Sequence, residues 1–314
     1  MRHLFCLLLG LTALSAPLPA QQAGQPGKAR KAPKPTLKLT TAPVQSREVV
    51  YKKTPQGELK LHLYSPPTPA AAPRPIVVFF FGGGWKSGSY LQFVPQAEYL
   101  ASRGLVAACA DYRILSQHQT QPDKAVEDAK SAIRWVRGHA AELGIDPAKV
   151  IAAGGSAGGH LAACTAYVSA YDAESDDKTI SARPDALVLF NPAMNIGTLF
   201  RQRSGAERGG VTLEMADAIT PNLFVTRQGP PAILFFGTAD ALKQGGDEYL
   251  QKARALGLRA EMWSAADMPH GFFNRAPWTH VTARKMDEFL ISLGFLGGEP
   301  TLALPAGAPA LKQE

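Results

Sequence analysis

No acidic residue precedes Glu48, only three cysteines occur in 314 residues, and no apolar run is long enough to cross a bilayer. Each scarcity excludes something. Seven basic residues (Arg2, Lys28, Arg30, Lys31, Lys34, Lys38 and Arg47) fill the acid-free start, and setting them aside leaves 26 Lys and Arg against 26 Asp and Glu. The net charge of +7 therefore belongs to an N-terminal arm. The remainder is neutral, without the basic excess that nucleic-acid binding needs. Cys6 lies in the extreme N-terminal apolar run, Cys109 in a strand-like run and Cys164 in a helix-like one. Two buried, unpaired thiols are expected, with one disulfide as the alternative. Neither cysteine stands at a turn, so a thiol nucleophile is set aside. The glycine-rich stretch at 154–159 has no Gly-Lys-Ser/Thr ending and no Gly-x-Gly-x-x-Gly spacing, which sets phosphate cradling aside.

What is present divides the chain. Met1-Arg2-His3 precedes the apolar run Leu4 to Ala16, and Leu18-Pro19-Ala20 offers a small residue for cleavage. Residues 1–20 read as a signal peptide, which places the mature chain in the secreted or periplasmic compartment. Residues 21–45, with Pro26, Pro33, Pro35 and Pro43 among Lys, Ala and Thr, read as an unstructured linker. One domain is expected over 46–297, followed by a disordered Pro/Ala tail at 298–314. Its 46% hydrophobic content suffices for a core.

Within the domain, 48–53 and 58–64 alternate in polarity around Thr54-Pro-Gln-Gly57 and predict an antiparallel hairpin, with His62 facing solvent. Continuous apolar runs at 76–81, 105–110, 150–153, 186–190 and 232–236 predict strands buried on both faces, and 259–264 is strand-like. Helical periodicity fills the spaces: 91–102, a long helix from Pro122 to Leu143, one after Ser156, 247–256 and 279–293. Strands alternating with helices give an α/β fold with a mostly parallel sheet. Sites in such sheets form at the carboxyl ends of strands.

The run Val150 to Leu161 ends a strand, turns at Gly154-Gly-Ser156-Ala-Gly158 and enters a helix. A turn that sharp strains its central residue and needs small neighbours two before and two after, so Ser156 is the candidate nucleophile. A serine hydroxyl needs a base within about 2.6–3.2 Å and an acid to orient that base. Asp240 follows strand 232–236 and His270 follows strand 259–264, giving the order Ser156, Asp240, His270. Asp267 is read as capping its own loop and Asp111 as bracing loops, while His160, one turn after Ser156, should point into the fold. An oxyanion needs N–H donors. Gly83 and Gly84, in the glycine run after strand 76–81, and Ala157 after the nucleophile are the candidates.

Phe81-Gly-Gly-Gly-Trp85, Asp111-Tyr-Arg113, Asp128 to Trp135, Gly154-Gly-Ser-Ala-Gly-Gly159, Gly237-Thr-Ala-Asp240 and Pro269-His-Gly-Phe272 occur in this order across about 48–296. Together they resemble the α/β-hydrolase fold, and within it the hormone-sensitive-lipase-like and acetyl xylan/feruloyl esterase-like serine esterases. The resemblance implies helices on both faces of the sheet, a small cap at about 193–229, and a serine carboxylesterase that needs neither cofactor nor metal. It implies a small-molecule or oligosaccharide ester as substrate, with short acyl groups such as acetyl or feruloyl on polysaccharide. Trp85, Phe272 and Trp278 are the candidate substrate-binding residues. Two positions depart from the family pattern: Phe81 stands where His is usual, and Gly155 where many relatives carry Asp or Glu. A peptidase or lipase of the same fold, or a ligand-binding protein without catalysis, are the other classes that this fold admits. Oligomeric state is not legible.

Overall fold

The computed structural model describes residues 37–69, 71–202 and 211–314; the expected signal peptide and the linker up to residue 36 lie outside the described residues. Strands β1 (Gln45–Thr54) and β2 (Gly57–Ser65) form the predicted antiparallel hairpin. The apolar runs form β3 (Arg74–Phe80), β4 (Val106–Ala110), β5 (Ile145–Gly155), β6 (Ala186–Phe190), β7 (Ala232–Gly237) and β8 (Ala260–Ala265). With β9 (Lys312–Gln313) they make one sheet in the order β1-β2-β4-β3-β5-β6-β7-β8-β9. The six from β4 to β8 pair in parallel, whereas the β1–β2, β2–β4 and β8–β9 pairs are antiparallel.

Between the strands lie α1 (Val94–Ser102), α2 (Leu115–His118), α3 (Pro122–Gly138), α4 (Ala140–Leu143), α5 (Ala157–Tyr167), α6 (Ile196–Gln202), α7 (Leu213–Ala218), α8 (Lys243–Ala255) and α9 (Trp278–Ser292). Successive residues of a strand face opposite sides, and β3 shows the consequence. Ile76, Val78 and Phe80 join the layer of α3, α5 and α8, while Val77 and Phe79 join that of α1 and α9. Both sheet faces are therefore covered, which is why the strands read as unbroken apolar runs. Cys109 and Cys164 are buried and unpaired, as expected.

Four expectations need correction. The helix from Pro122 does not continue to Leu143: His139 leaves helical geometry (φ −105°, ψ 23°) after Gly138, and its ring stacks on Trp135 at 4.0 Å. His62 does not face solvent. It is 7% exposed, its ring lies 3.4 Å from that of Tyr90, and its two nitrogens sit 3.2 and 3.1 Å from Asp111 and Glu48 carboxylate oxygens. The strand alternation was right in parity, but the segment around Tyr90 covers that face. The linker ends early, because Leu39 is buried in the α1/α9 layer with Val44 packed beside it. The 298–314 tail is not disordered: Leu302 is buried in the same layer, and β9 adds a strand to the β8 edge.

Candidate active site

Ser156 sits at the turn from β5 into α5, with φ 55° and ψ −117°. The glycines on either side are required by close approach. A Cβ on Gly158 would lie 1.9 Å from the Phe80 carbonyl oxygen, and one on Gly154 would lie 2.5 Å from the Gly158 backbone. Any side chain there would push α5 away from the end of β3. Ser156 N–H donates to the Phe190 carbonyl at 2.8 Å, fixing the turn against β6. The N-terminus of α5 begins at Ala157 and directs positive dipole toward the hydroxyl.

Asp240 and His270 come from the ends of β7 and β8, and the structure brings both to Ser156. His270 Nε2 lies 2.9 Å from Ser156 Oγ, and His270 Nδ1 lies 2.8 Å from Asp240 Oδ2. The Asp240 side chain is 1% exposed and that of His270 43%, so the acid is enclosed while the base meets solvent. An enclosed carboxylate holding Nδ1–H leaves Nε2 as the bare nitrogen facing the hydroxyl. The two loops are stitched together: Ala239 N–H donates to the Met268 carbonyl at 3.1 Å, and Asp267 N–H to Thr238 Oγ1 at 2.8 Å. Gly237 permits that approach, since a Cβ there would lie 1.9 Å from the Met268 carbonyl oxygen. Asp267 joins the two loops through its backbone N–H, and its exposed carboxylate does not form the expected cap on its own loop.

One residue of the cluster escaped the sequence reading. Asn191, just past β6 with φ 47°, donates its Nδ2–H to Asp240 Oδ2 at 2.6 Å. The same carboxylate receives Leu242 N–H on Oδ1 at 2.9 Å. Asp240 is therefore held by three donors, counting His270. An Asn after a strand ordinarily signals only a turn, so no local pattern marks it.

The glycine run lies beside Ser156: a Cβ on Gly82 would come within 3.3 Å of Ser156 Cβ. Gly83 (φ 132°) and Gly84 (φ 63°) adopt conformations that disfavour side chains, and their N–H groups donate to no protein acceptor among the described residues. Phe81 supplies packing where the usual His would brace the loop. Its ring stacks on Tyr112 at 4.1 Å, Tyr112 Oη–H donates to the Phe81 carbonyl at 2.7 Å, and Gly88 leaves room for the ring edge. Arg113 clamps buried Asp128 with two bonds of 2.8 Å, which anchors the Asp-Tyr-Arg segment to α3.

The aromatic residues divide. Phe272 and Trp278, expected to bind substrate, are 3% and 9% exposed and pack edge-on at 5.4 Å within the α1/α9 layer. They are core residues, because the chain after His270 turns inward to begin α9. Trp85 is half-buried and packs against the cap cluster of Ala193, Ile196 and Ala216. Its indole meets His160 edge-on at 5.0 Å. His160 points into the fold as expected, and donates Nε2–H to the Ile219 carbonyl at 2.6 Å, tying α5 to the cap. Burial holds its pKa down at about 4. The cap consists of α6, α7 and a single turn at Pro221–Leu223, with residues 203–210 outside the described residues. Among the described residues no His, Cys, Asp or Glu group is arranged to hold a metal ion, and no helix is long and apolar enough to cross a membrane.

The chain is similar to several known proteins. The BD-FAE family model matches residues 61–244. A propionate-bound esterase from Thermogutta terrifontis is 42% identical with a TM-score of 0.73, over 81% of this chain and 96% of that one. Thermogutta terrifontis esterase 2 phosphorylated by paraoxon superposes with a TM-score of 0.74 at 43% identity, again over 81% and 96%. Carboxylesterase NlhH of Mycobacterium tuberculosis is 27% identical over 238 residues, 70% of this chain and 72% of that protein. A probable isoprenylcysteine alpha-carbonyl methylesterase of Arabidopsis thaliana is 37% identical over 124 residues, only a quarter of its own length. The chain belongs to the BD-FAE family, among the α/β-hydrolase serine esterases.

Proposed function

We propose that this protein is an exported carboxylesterase that removes short acyl groups, acetyl or feruloyl, from small-molecule or oligosaccharide esters. The observation that carries the reading is the line of Ser156 Oγ, the His270 ring and the Asp240 carboxylate, with contacts of 2.9 and 2.8 Å. In it, Ser156 attacks the ester carbonyl while His270 Nε2 takes the hydroxyl proton. Asp240 holds the imidazole tautomer and balances the imidazolium that forms. The tetrahedral oxyanion takes N–H bonds from Gly83, Gly84 and Ala157. Collapse passes the proton from His270 to the leaving alcohol, and water, activated by the same base, releases the acid.

A short acyl group is favoured because the esterase of Thermogutta terrifontis has been solved with propionate and with butyrate bound. Export is favoured by the basic start and short apolar run of residues 1–20. Hydrolysis of p-nitrophenyl acetate, with a loss of about 10⁶-fold in turnover for Ser156→Ala, is the primary test. Near-normal turnover in that variant would refute the mechanism. Acetylated xylan, feruloyl sugars and a series of acyl lengths then identify the natural ester, and N-terminal sequencing of the mature chain, expected to begin at Gln21, tests export.

A further inference from the structure

We infer that Gln92 is a positioning residue of the hydrolytic site: its side-chain amide ties the glycine loop to the histidine loop and sets the distance between the oxyanion donors and His270. The inference rests on the Ser156–His270–Asp240 reading and adds to it a part that no motif marks.

Three observations converge. Gln92 Oε1 accepts Gly82 N–H at 2.6 Å, while its Nε2–H donates to Asn274 Oδ1 at 3.0 Å. Asn274 in turn donates both Nδ2–H and its backbone N–H to the Gly271 carbonyl, each at 3.1 Å. Gly271 directly follows His270 and holds φ 78°, so its peptide sets where the imidazole begins. The relay runs from the glycine beside Ser156 to the residue beside His270, through two side chains 182 positions apart. Its polarity is fixed, since a backbone N–H can only donate and the Gln92 amide must turn its oxygen to Gly82.

The mount of Gln92 is rigid. Tyr90, two residues before it, is stacked on His62, and Phe93, just after it, is buried against Phe79, Phe190 and Phe273. Among the described residues no hydrogen bond joins 82–88 directly to 270–275, so Gln92 and Asn274 supply the polar link between these loops. The relay also assigns roles within the glycine run. Gly82 N–H is spent on Gln92, leaving those of Gly83 and Gly84 for the oxyanion.

A tie of this kind acts on the transition state. Ground-state binding of a small ester needs only an open site, but proton transfer and oxyanion capture must be satisfied in one geometry. Gln92→Met keeps the side-chain length and removes the amide. In the full chain it should lower kcat for p-nitrophenyl acetate by about 10–100-fold with KM within about threefold, the loss expected when reacting groups drift by about an ångström. Asn274→Ala, on an exposed loop, should do the same more mildly. The double variant should be no worse than Gln92→Met alone, because both changes cut one relay. Hydrogen exchange supplies a readout independent of turnover: the Gly82 amide, bonded to Gln92, should exchange faster in Asn274→Ala, although that side chain does not touch it.

Unchanged kcat in Gln92→Met, a raised KM at constant kcat, losses that multiply in the double variant, or Gly82 exchange unaltered by Asn274→Ala would each overturn the inference. If Gln92→Met does not fold, Asn274→Ala decides by kcat and exchange. Failure of the ester-hydrolysis reading would look different: the unaltered chain would not turn over the ester, or Ser156→Ala would retain activity.

Discussion

The ring of Phe273 fills the volume that a side chain on Gly155 would need: a Cβ at Gly155 would lie 2.6 Å from Phe273 Cζ. The absence of a side chain at Gly155 and the position of the Phe273 ring thus form a matched pair. Phe273 is itself held by Phe93 and Phe190, with ring centroids 5.8 and 4.9 Å away, and cannot simply swing aside. Gly155→Ala should therefore cost about 1–3 kcal/mol, the usual penalty of overpacking, and Phe273→Leu added to it should recover part. Urea unfolding of the single and double variants checks this. Equal midpoints for Gly155→Ala and the unaltered chain would contradict it.

Asn191 gives a second expectation. Its donation to Asp240 Oδ2 is a hydrogen bond to a carboxylate, worth about 1.5–3 kcal/mol, and it steers the oxygen that holds His270. The residue has positive φ, so glycine is the substitution that tests the side chain without straining the backbone. Asn191→Gly should lower kcat for p-nitrophenyl acetate by about 10–100-fold while KM changes little. An unchanged kcat would show that Leu242 N–H and His270 suffice to hold the carboxylate.

The parts of this site that were legible in the sequence are those set by local sterics. Gly154 and Gly158 are demanded by the turn at Ser156, and Asp240 and His270 follow from the rule that sites gather at strand ends. Residues acting across the fold left no such trace. Gln92 and Asn274 meet over a long sequence separation, and Asn191 looks like any turn residue. Aromatic composition near a strand end said that Phe272 and Trp278 were close by, but not that α9 turns them into the core. His62 was assigned the correct strand parity, yet what covers a sheet face depends on a segment elsewhere in the chain. In the tail, three leucines scattered among prolines and alanines carry no periodicity, although Leu302 is buried in the α1/α9 layer and Leu311 packs against it.

His160 ties stability to pH. Its folded pKa is about 4, lowered by burial, against about 6.5 for an unfolded histidine. Above pH 6.5 both states are neutral and nothing is lost. As pH falls toward 4, the unfolded chain takes up a proton that the folded one refuses, and stability drops, by about 2 kcal/mol between pH 7 and 5. His160→Gln, which keeps a donor for the Ile219 carbonyl and cannot titrate, should lose less stability over that interval by about the same amount. Parallel losses in the two proteins, followed by urea midpoints at pH 7 and 5, would remove His160 from the account.

The C-terminal segment tests whether an edge strand needs its cover. β9 pairs with β8 through Ser264↔Lys312 and Trp263↔Gln313, and Glu314 N–H donates to the Met262 carbonyl at 2.9 Å. Upstream, Leu302 is buried, its N–H donates to Tyr99 Oη at 3.4 Å and its carbonyl accepts from Arg284 at 3.1 Å. Two separable effects follow. Removing 298–314 exposes the hydrogen-bonding edge of β8, which invites pairing with another chain, and it also removes the burial of Leu302, worth about 1.5–3 kcal/mol. Leu302→Ala removes most of that burial and leaves the edge covered. The shortened chain should therefore melt lower and associate with rising concentration in light scattering, whereas Leu302→Ala should melt lower and stay dispersed. Association of both, or of neither, would mean that β9 does not serve as the cover.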